Sequence, residues 1–246
     1  MPLIDKEERL FHVHLTGFGP FGPHAVNPSW EAVKPLHDTV LVSPPEPLDV
    51  SSSPPSFSSL SIRLTSSLLP VSYFAATSFI PLLHAGGPAG KHRPDLVIHI
   101  GVGLEGELKI EQIGRKWGYD KPDVNGELAP TEEGSSWTGG RRGQAEKRFE
   151  EEEEELRTRV DGEKVLDWVR KRGLEHIDLS EDAGLYLCEF SFYTSMASAL
   201  LLNREKPTPV QFIHVPPIGS PYTLDELTCA IKLLVWAIVN EGGLPT

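Results

Sequence analysis

Asp95-Leu-Val-Ile-His-Ile-Gly101 is the stretch that decides the fold, because only His99 interrupts its apolar run before the glycine. A strand with one wet face would alternate apolar and polar residues. A near-continuous run predicts a strand buried on both faces of a parallel sheet. Toward the N-terminus, Phe11-His-Val-His-Leu15 predicts a second strand, running into the glycine-rich turn Thr16-Gly-Phe-Gly-Pro-Phe-Gly22. Asn27 then reads as an N-cap with Pro28 at the first helical position, opening a helix through about Leu36. A strand is expected within Ile62 to Val71, and a helix from about Tyr73 to Leu83. Toward the C-terminus, Asp161 caps a helix through about Arg172, and His176 to Leu179 is a strand. A helix follows Cys188 through about Leu202, and Val210 to His214 is a strand. Thr223-Leu-Asp-Glu226 is a capping box opening the last helix, which ends near Glu241. Strand and helix alternate throughout. The expected fold class is therefore α/β: a three-layer α/β/α sandwich with an open, twisted, mostly parallel sheet.

The chain of 246 residues is read as a single domain, 1–246, interrupted by low-complexity inserts at about 43–59 and 126–155. The first is rich in Ser and Pro and reads as flexible. The second is polar and glycine-rich, then strongly charged, and is expected to be disordered or mobile. A net charge of −12 argues against nucleic acid or an anionic membrane as partner. It says little about substrate, because six of the acids form the run Glu150 to Glu155. Charged residues from Asp5 to Arg9 precede any apolar stretch, so no signal peptide is expected. No apolar run approaches the roughly 18 residues of a membrane span. Cys188 and Cys229 alone make no disulfide framework, which predicts a cytoplasmic, reduced chain in which a thiol survives as a catalyst.

In such sheets ligands bind at the carboxyl ends of strands. The turn after Leu15, the segment after Ile100, Cys188 and His214 all fall at such ends, so distant parts of the sequence converge on one edge. Cys188 ends Gly184-Leu-Tyr-Leu-Cys188 at the start of a helix. There the dipole and free N–H groups stabilise a thiolate and an oxyanion. A free cysteine is more often a small buried hydrophobe, and Cys229, inside the last helix, fits that description; position alone leaves Cys188 balanced between the two. His214 can take a thiol proton and return it to a leaving amine, although single histidines at strand ends are more often structural and this chain has nine. Glu111 could orient His214, yet spacing does not separate it from Glu105 or Glu107. No CxxC, HExxH or phosphate-cradling motif supports a metal or nucleotide cofactor, and none is expected.

Four blocks resemble the pyroglutamyl peptidase type I (pyrrolidone-carboxylate peptidase) family of cysteine peptidases. They are Thr16 to Gly22 with Asn27-Pro-Ser-Trp-Glu31; Pro94 to Gly101 leading to Glu111; Ser180-Glu-Asp-Ala-Gly-Leu-Tyr-Leu-Cys188 with Tyr193; and Phe212-Ile-His-Val-Pro216. The third is the most specific, and the pattern after Glu111 looks more like fungal members. The resemblance implies a phosphorylase/hydrolase-like fold and hydrolysis of the bond after an N-terminal pyroglutamate. In that reading Cys188 is nucleophile, His214 base and acid, and Glu111 the residue orienting His214. It further implies that Phe18 and Phe21 wall the pyrrolidone pocket, that Tyr186 and Leu187 contribute beside the cysteine, and that Asn27 lies near the ring's polar edge. Peptides with N-terminal pyroglutamate are the expected partners, and a homo-oligomer is compatible with the resemblance. A weak or silent relative that binds blocked peptide N-termini is one rival. Another is a phosphate- or nucleoside-binding α/β protein using the Gly17 to Gly22 turn. The chain departs from the family where Glu189 follows the cysteine in place of Asn: a carboxylate facing the thiol would oppose thiolate formation. The segment from Gly103 to Glu111 is also short, and Gln112 replaces the usual basic residue.

Overall fold

The computed structural model describes residues 10–22, 25–46, 48, 60–87, 92–131 and 140–245. Strand β1, Phe11–Phe18, ends in the glycine turn and is followed by α1, Pro28–Val33, and a 3₁₀ turn, Lys34–Leu36. Asn27 caps α1 by accepting the Ser29 N–H, with Pro28 at the first helical position, as the sequence predicts. Next come β2 (Thr39–Leu41), β3 (Ile62–Leu69), α2 (Tyr73–His84) and β4 (Leu96–Val102). Then follow β5 (Leu108–Glu111), β6 (Ile113–Arg115), β7 (Glu155–Arg157), α3 (Gly162–Arg170) and β8 (Ile177–Ser180). The chain closes with α4 (Leu187–Leu202), β9 (Val210–Val215) and α5 (Leu224–Asn240), the last opened by the Thr223–Glu226 capping box.

Seven strands form one sheet in the order β2-β3-β1-β4-β9-β5-β8. The pairs β3–β1, β1–β4, β4–β9 and β5–β8 are parallel, whereas β2–β3 and β9–β5 are antiparallel. Strand β4 is buried along nearly its whole length, as its composition requires. Each face carries its own core. Val13, Leu15, Ile98 and Ile100 pack against residues of α1, α3 and α5. Phe18, Leu69 and Phe212 pack against α2 and α4, where Phe190, Phe192 and Tyr193 are fully buried. Burying a side chain of that size contributes about 1.5–3 kcal/mol. The three-layer α/β/α sandwich is thereby formed.

Two features differ from the sequence expectation. First, β5 and β8 run opposite to the central strands. Only residues 103–107 separate β4 from β5, and a parallel crossover needs a dozen or more residues, so the chain must return antiparallel. Second, most of 126–155 is built into the fold where a mobile insert was expected, with 132–139 outside the described residues. Phe149 is fully buried, Glu152 is buried, and β7 pairs with β6. The buried Lys116 ammonium donates to the carbonyls of Phe149, Glu150 and Glu152 at 2.7, 3.0 and 3.0 Å. Arg204 pairs with the Glu152 carboxylate. Cations outside the acidic run order its backbone, which local composition does not reveal. Of the other insert, 47 and 49–59 lie outside the described residues. Among the described residues, no helix is long and apolar enough to cross a membrane.

Candidate active site

The site forms where the carboxyl ends of β4 and β9 lie side by side, Gly101 pairing with His214 and Val102 with Val215. Gly101 is where the Cys188 thiol rests: a Cβ there would sit 2.9 Å from Sγ and 2.8 Å from Cζ of Phe212. Gly103 does the same for the imidazole, since a Cβ on it would meet Cβ of His214 at 2.9 Å. Gly101→Ala tests this close approach. Overpacking of this kind costs about 1–3 kcal/mol, and pushing the thiol away from His214 lowers kcat by about 10²-fold. Steady-state kinetics and a melting curve check both effects.

The His214 Nδ1 is 2.7 Å from Oε1 of Glu111, which is fully buried on the neighbouring strand. That bond leaves Nε2 available to the Cys188 thiol, which rests against Gly101, the residue paired with His214. Burial pulls the imidazolium down, but the Cys188 thiolate and then Glu111 outweigh it and hold His214 up to about 10. The structural histidines go the other way. Burial pushes His14 down to about 3, His84 to about 4 and His99 to about 3. His99 bonds Thr16 at 2.7 Å and His84 bonds Ser195 at 2.7 Å, so each serves packing within the core. The opposite direction at His214 sets it apart from these three buried histidines. Cys229 packs on the other face of the sheet, where burial pushes its thiol up.

Glu111 reaches His214 differently from the sequence expectation of convergence at parallel strand ends. It sits on the reversed strand β5, paired with Phe212, and approaches the imidazole from the side. Glu105 and Glu107 lie in the preceding loop, which leaves Glu111 as the carboxylate on the ring. Cys188 does not sit at a strand end either. From β8 the chain turns through Glu181–Tyr186, with positive φ at Gly184 (84°) and Leu185 (20°), and enters α4. Its N-cap, Tyr186, makes no side-chain cap, so the first-turn N–H groups beside the thiol lack intrahelical partners.

Phe18, Phe21, Tyr186, Leu187 and Cys188 all belong to the α2/α4-side cluster. Phe18 and Leu187 are buried, whereas Phe21 and Tyr186 are half-buried. Tyr186 lies edge-on to Tyr73, centroids 6.4 Å apart, and donates to the carbonyl of Pro122 at 3.1 Å. The Asn27 amide, expected near the ring's polar edge, is engaged within the turn. Its Nδ2 donates to the Gly19 carbonyl at 2.9 Å, and its Oδ1 accepts from Ser29 N–H and Oγ at 3.1 and 2.8 Å. It holds the glycine turn against α1. A Cβ on Gly17 would come within 2.6 Å of the Trp30 backbone, so the end of β1 packs directly on α1. A cavity of about 510 Å³ lined by Lys116, Trp117, Arg141 and Glu154 shares no residue with this constellation, and its lining is charged. Among the described residues, no group of three His, Cys, Asp or Glu could hold a metal ion.

The carboxylate of Glu189 is fully buried and points into a set of donors. Arg115 donates to it through its backbone N–H (3.0 Å), Nε (2.6 Å) and Nη2 (2.9 Å), and the Leu185 N–H donates at 3.0 Å. The expected repulsion of the thiol is replaced by a closed ion pair. Arg115 was missed in the sequence. The available signal was an acid in the first turn of an otherwise apolar helix, which demands a buried counter-charge.

Thiol, imidazole and carboxylate gathered at one edge of an α/β/α sheet are the groups that a cysteine-dependent hydrolase requires. No protein-family model matches the chain. Rat pyroglutamyl-peptidase 1 is 34% identical over 225 residues, 91% of this chain and 87% of the rat protein. The pyrrolidone-carboxylate peptidase of Bacillus amyloliquefaciens is 26% identical over 252 residues, 95% of each chain. The chain belongs to the pyroglutamyl-peptidase I family, a family of cysteine exopeptidases. The fold agrees: the crystal structure of pyroglutamyl peptidase I from B. amyloliquefaciens superposes with a TM-score of 0.68 at 24% identity, covering 97% of this chain and 100% of that one. A mutant (A199P) pyrrolidone carboxyl peptidase from P. furiosus gives 0.69 at 20% identity, covering 91% and 96%.

Proposed function

We propose that this chain hydrolyses the peptide bond after an N-terminal pyroglutamate, with Cys188 as nucleophile, His214 as base and acid, and Glu111 orienting His214. The observation that carries it is the Glu111–His214 bond of 2.7 Å, with the Cys188 thiol seated against Gly101, the residue paired with His214. His214 draws the proton from the thiol, and the thiolate attacks the pyroglutamyl carbonyl carbon. First-turn N–H groups of α4 stabilise the tetrahedral oxyanion. The imidazolium then protonates the departing amine, leaving a thioester that water cleaves. Phe18, Phe21, Tyr186 and Leu187 supply the apolar faces a flat, uncharged lactam requires. Asn27 acts on that pocket by fixing the turn that carries both phenylalanines. We also propose a cytoplasmic setting, in which the two free cysteines persist as thiols.

The test is purified protein with a pyroglutamyl and a prolyl chromogenic amide. The two rings have the same size, but only the first carries the lactam carbonyl. Release from the first and not the second is expected. Tight binding of a pyroglutamyl inhibitor without turnover would replace the peptidase reading with that of a silent binder of blocked N-termini.

A further inference from the structure

Gly184 and Leu185 are the two positive-φ residues of the turn into α4, and both backbone N–H groups are held by carboxylates. The Leu185 N–H donates to Oε2 of Glu189 at 3.0 Å, and the Gly184 N–H donates to Oδ1 of Asp182 at 3.2 Å. One guanidinium binds both acids: Arg115 donates through Nε and Nη2 to Glu189, and through Nη2 to Asp182. Arg115 ends β6, which follows β5 and Glu111 after a single residue, Gln112. Strand β6 lies close on α4, because a Cβ on Gly114 would meet the Tyr193 backbone N at 3.2 Å. The clamp thus joins the segment that carries Glu111 to the turn that carries Cys188.

We propose that Glu189, with Arg115, is a positioning residue that sets the Cys188 turn in register with Glu111 and His214. The inference rests on the cysteine-peptidase reading of the site. A leucine with a side chain holds φ at +20°, a region left-handed turns normally give to glycine. The charge-assisted bond from its N–H to Glu189 is what offsets that conformation. A loosened turn would leave the Phe18 and Phe21 side of the pocket in place but let the thiol drift from the imidazole, and drift of about 1 Å costs roughly 10² in rate.

Glu189→Gln separates this role from its alternatives by sign. If the carboxylate opposed the thiolate, its removal would raise kcat. If it only filled the core, its removal would lower the melting temperature and leave kcat alone. The positioning role predicts a fall in kcat of about 10- to 100-fold with KM within about twofold, and a parallel fall in the rate of Cys188 alkylation by iodoacetamide. Arg115→Ala is expected to fall further, with guanidinium chloride at low millimolar concentration restoring part of the lost kcat. Arg115→Ala leaves a buried carboxylate unpaired and so risks the fold. Asp182→Asn, on an exposed side chain, is the milder companion and should lower kcat by a few fold at an unchanged melting temperature. Unaltered kcat and alkylation rate in folded Glu189→Gln and Asp182→Asn would overturn the proposal while leaving the peptidase reading intact. A wild-type chain without turnover would instead defeat that reading, and the alkylation rates would still decide the positioning role.

Discussion

Cys188→Ala is expected to abolish release of pyroglutamate, with kcat falling by about 10⁴- to 10⁶-fold while a pyroglutamyl inhibitor still binds within about twofold of its normal affinity. Removing a nucleophile deletes the covalent step altogether, and the remaining rate comes only from the oxyanion donors and from binding. The other cysteine is not placed to substitute for it. Cys229 packs against the opposite face of the sheet, and its thiol hydrogen-bonds the Glu46 carbonyl at 3.6 Å. Cys188→Ser should be nearly as poor, because a hydroxyl gives up its proton far less readily than a thiol and His214 is matched to a thiolate partner. Stability separates loss of chemistry from loss of fold. The half-buried sulfur leaves a small void on truncation, a cost of about 1 kcal/mol, so the melting temperature should move by only a few degrees. Alkylation completes the experiment: wild type takes up iodoacetamide rapidly at one site, and Cys188→Ala loses that fast phase. Release that survives the substitution would sink the nucleophile assignment.

The elements with local signals were legible in the sequence. Asn27-Pro28 announced α1, the Thr223–Glu226 box announced α5, and the apolar run of Leu96–Ile100 announced a buried strand. Position alone left Cys188 and His214 undecided in the sequence, and the resemblance of Ser180–Cys188 and Phe212–Pro216 to the family singled them out. What escaped depends on contacts distant in sequence. The reversal of β5 follows from the short 103–107 loop, a consequence of connection length that an alternating strand–helix pattern hides. The order of 140–155 depends on Lys116 reaching carbonyls more than thirty residues away. The amide of Asn27 bonds Gly19 and Ser29, contacts that no spacing shows. Glu189 taught the same lesson in reverse: beside the thiol in sequence, it is bound to Arg115 and Leu185 in space.

Glu111→Gln is the second large effect expected, a fall in kcat of about 10³- to 10⁴-fold at constant stability. Its carboxylate accepts from Nδ1 of His214 and so fixes the tautomer that leaves Nε2 toward the thiol; the amide keeps the shape but not the charge, and its NH₂ group can bind the wrong tautomer. The pH profile gives an independent reading. Burial alone depresses the His214 imidazolium, and the Cys188 thiolate and Glu111 together raise it to about 10. The leaving amine needs that imidazolium as its acid, so wild-type kcat/KM should fall on the alkaline side only as pH passes about 10. Without the Glu111 charge part of the upward push is gone, burial is less opposed, and the alkaline limb must move to lower pH. Stability should move little or rise. Oε2 of Glu111 is buried with no hydrogen-bond partner among the described residues, and a buried, half-satisfied carboxylate is a cost to the fold that an amide lessens. An unchanged alkaline limb with unchanged kcat would remove Glu111 from the catalytic constellation; a lowered limb with a steady melting temperature would place it there.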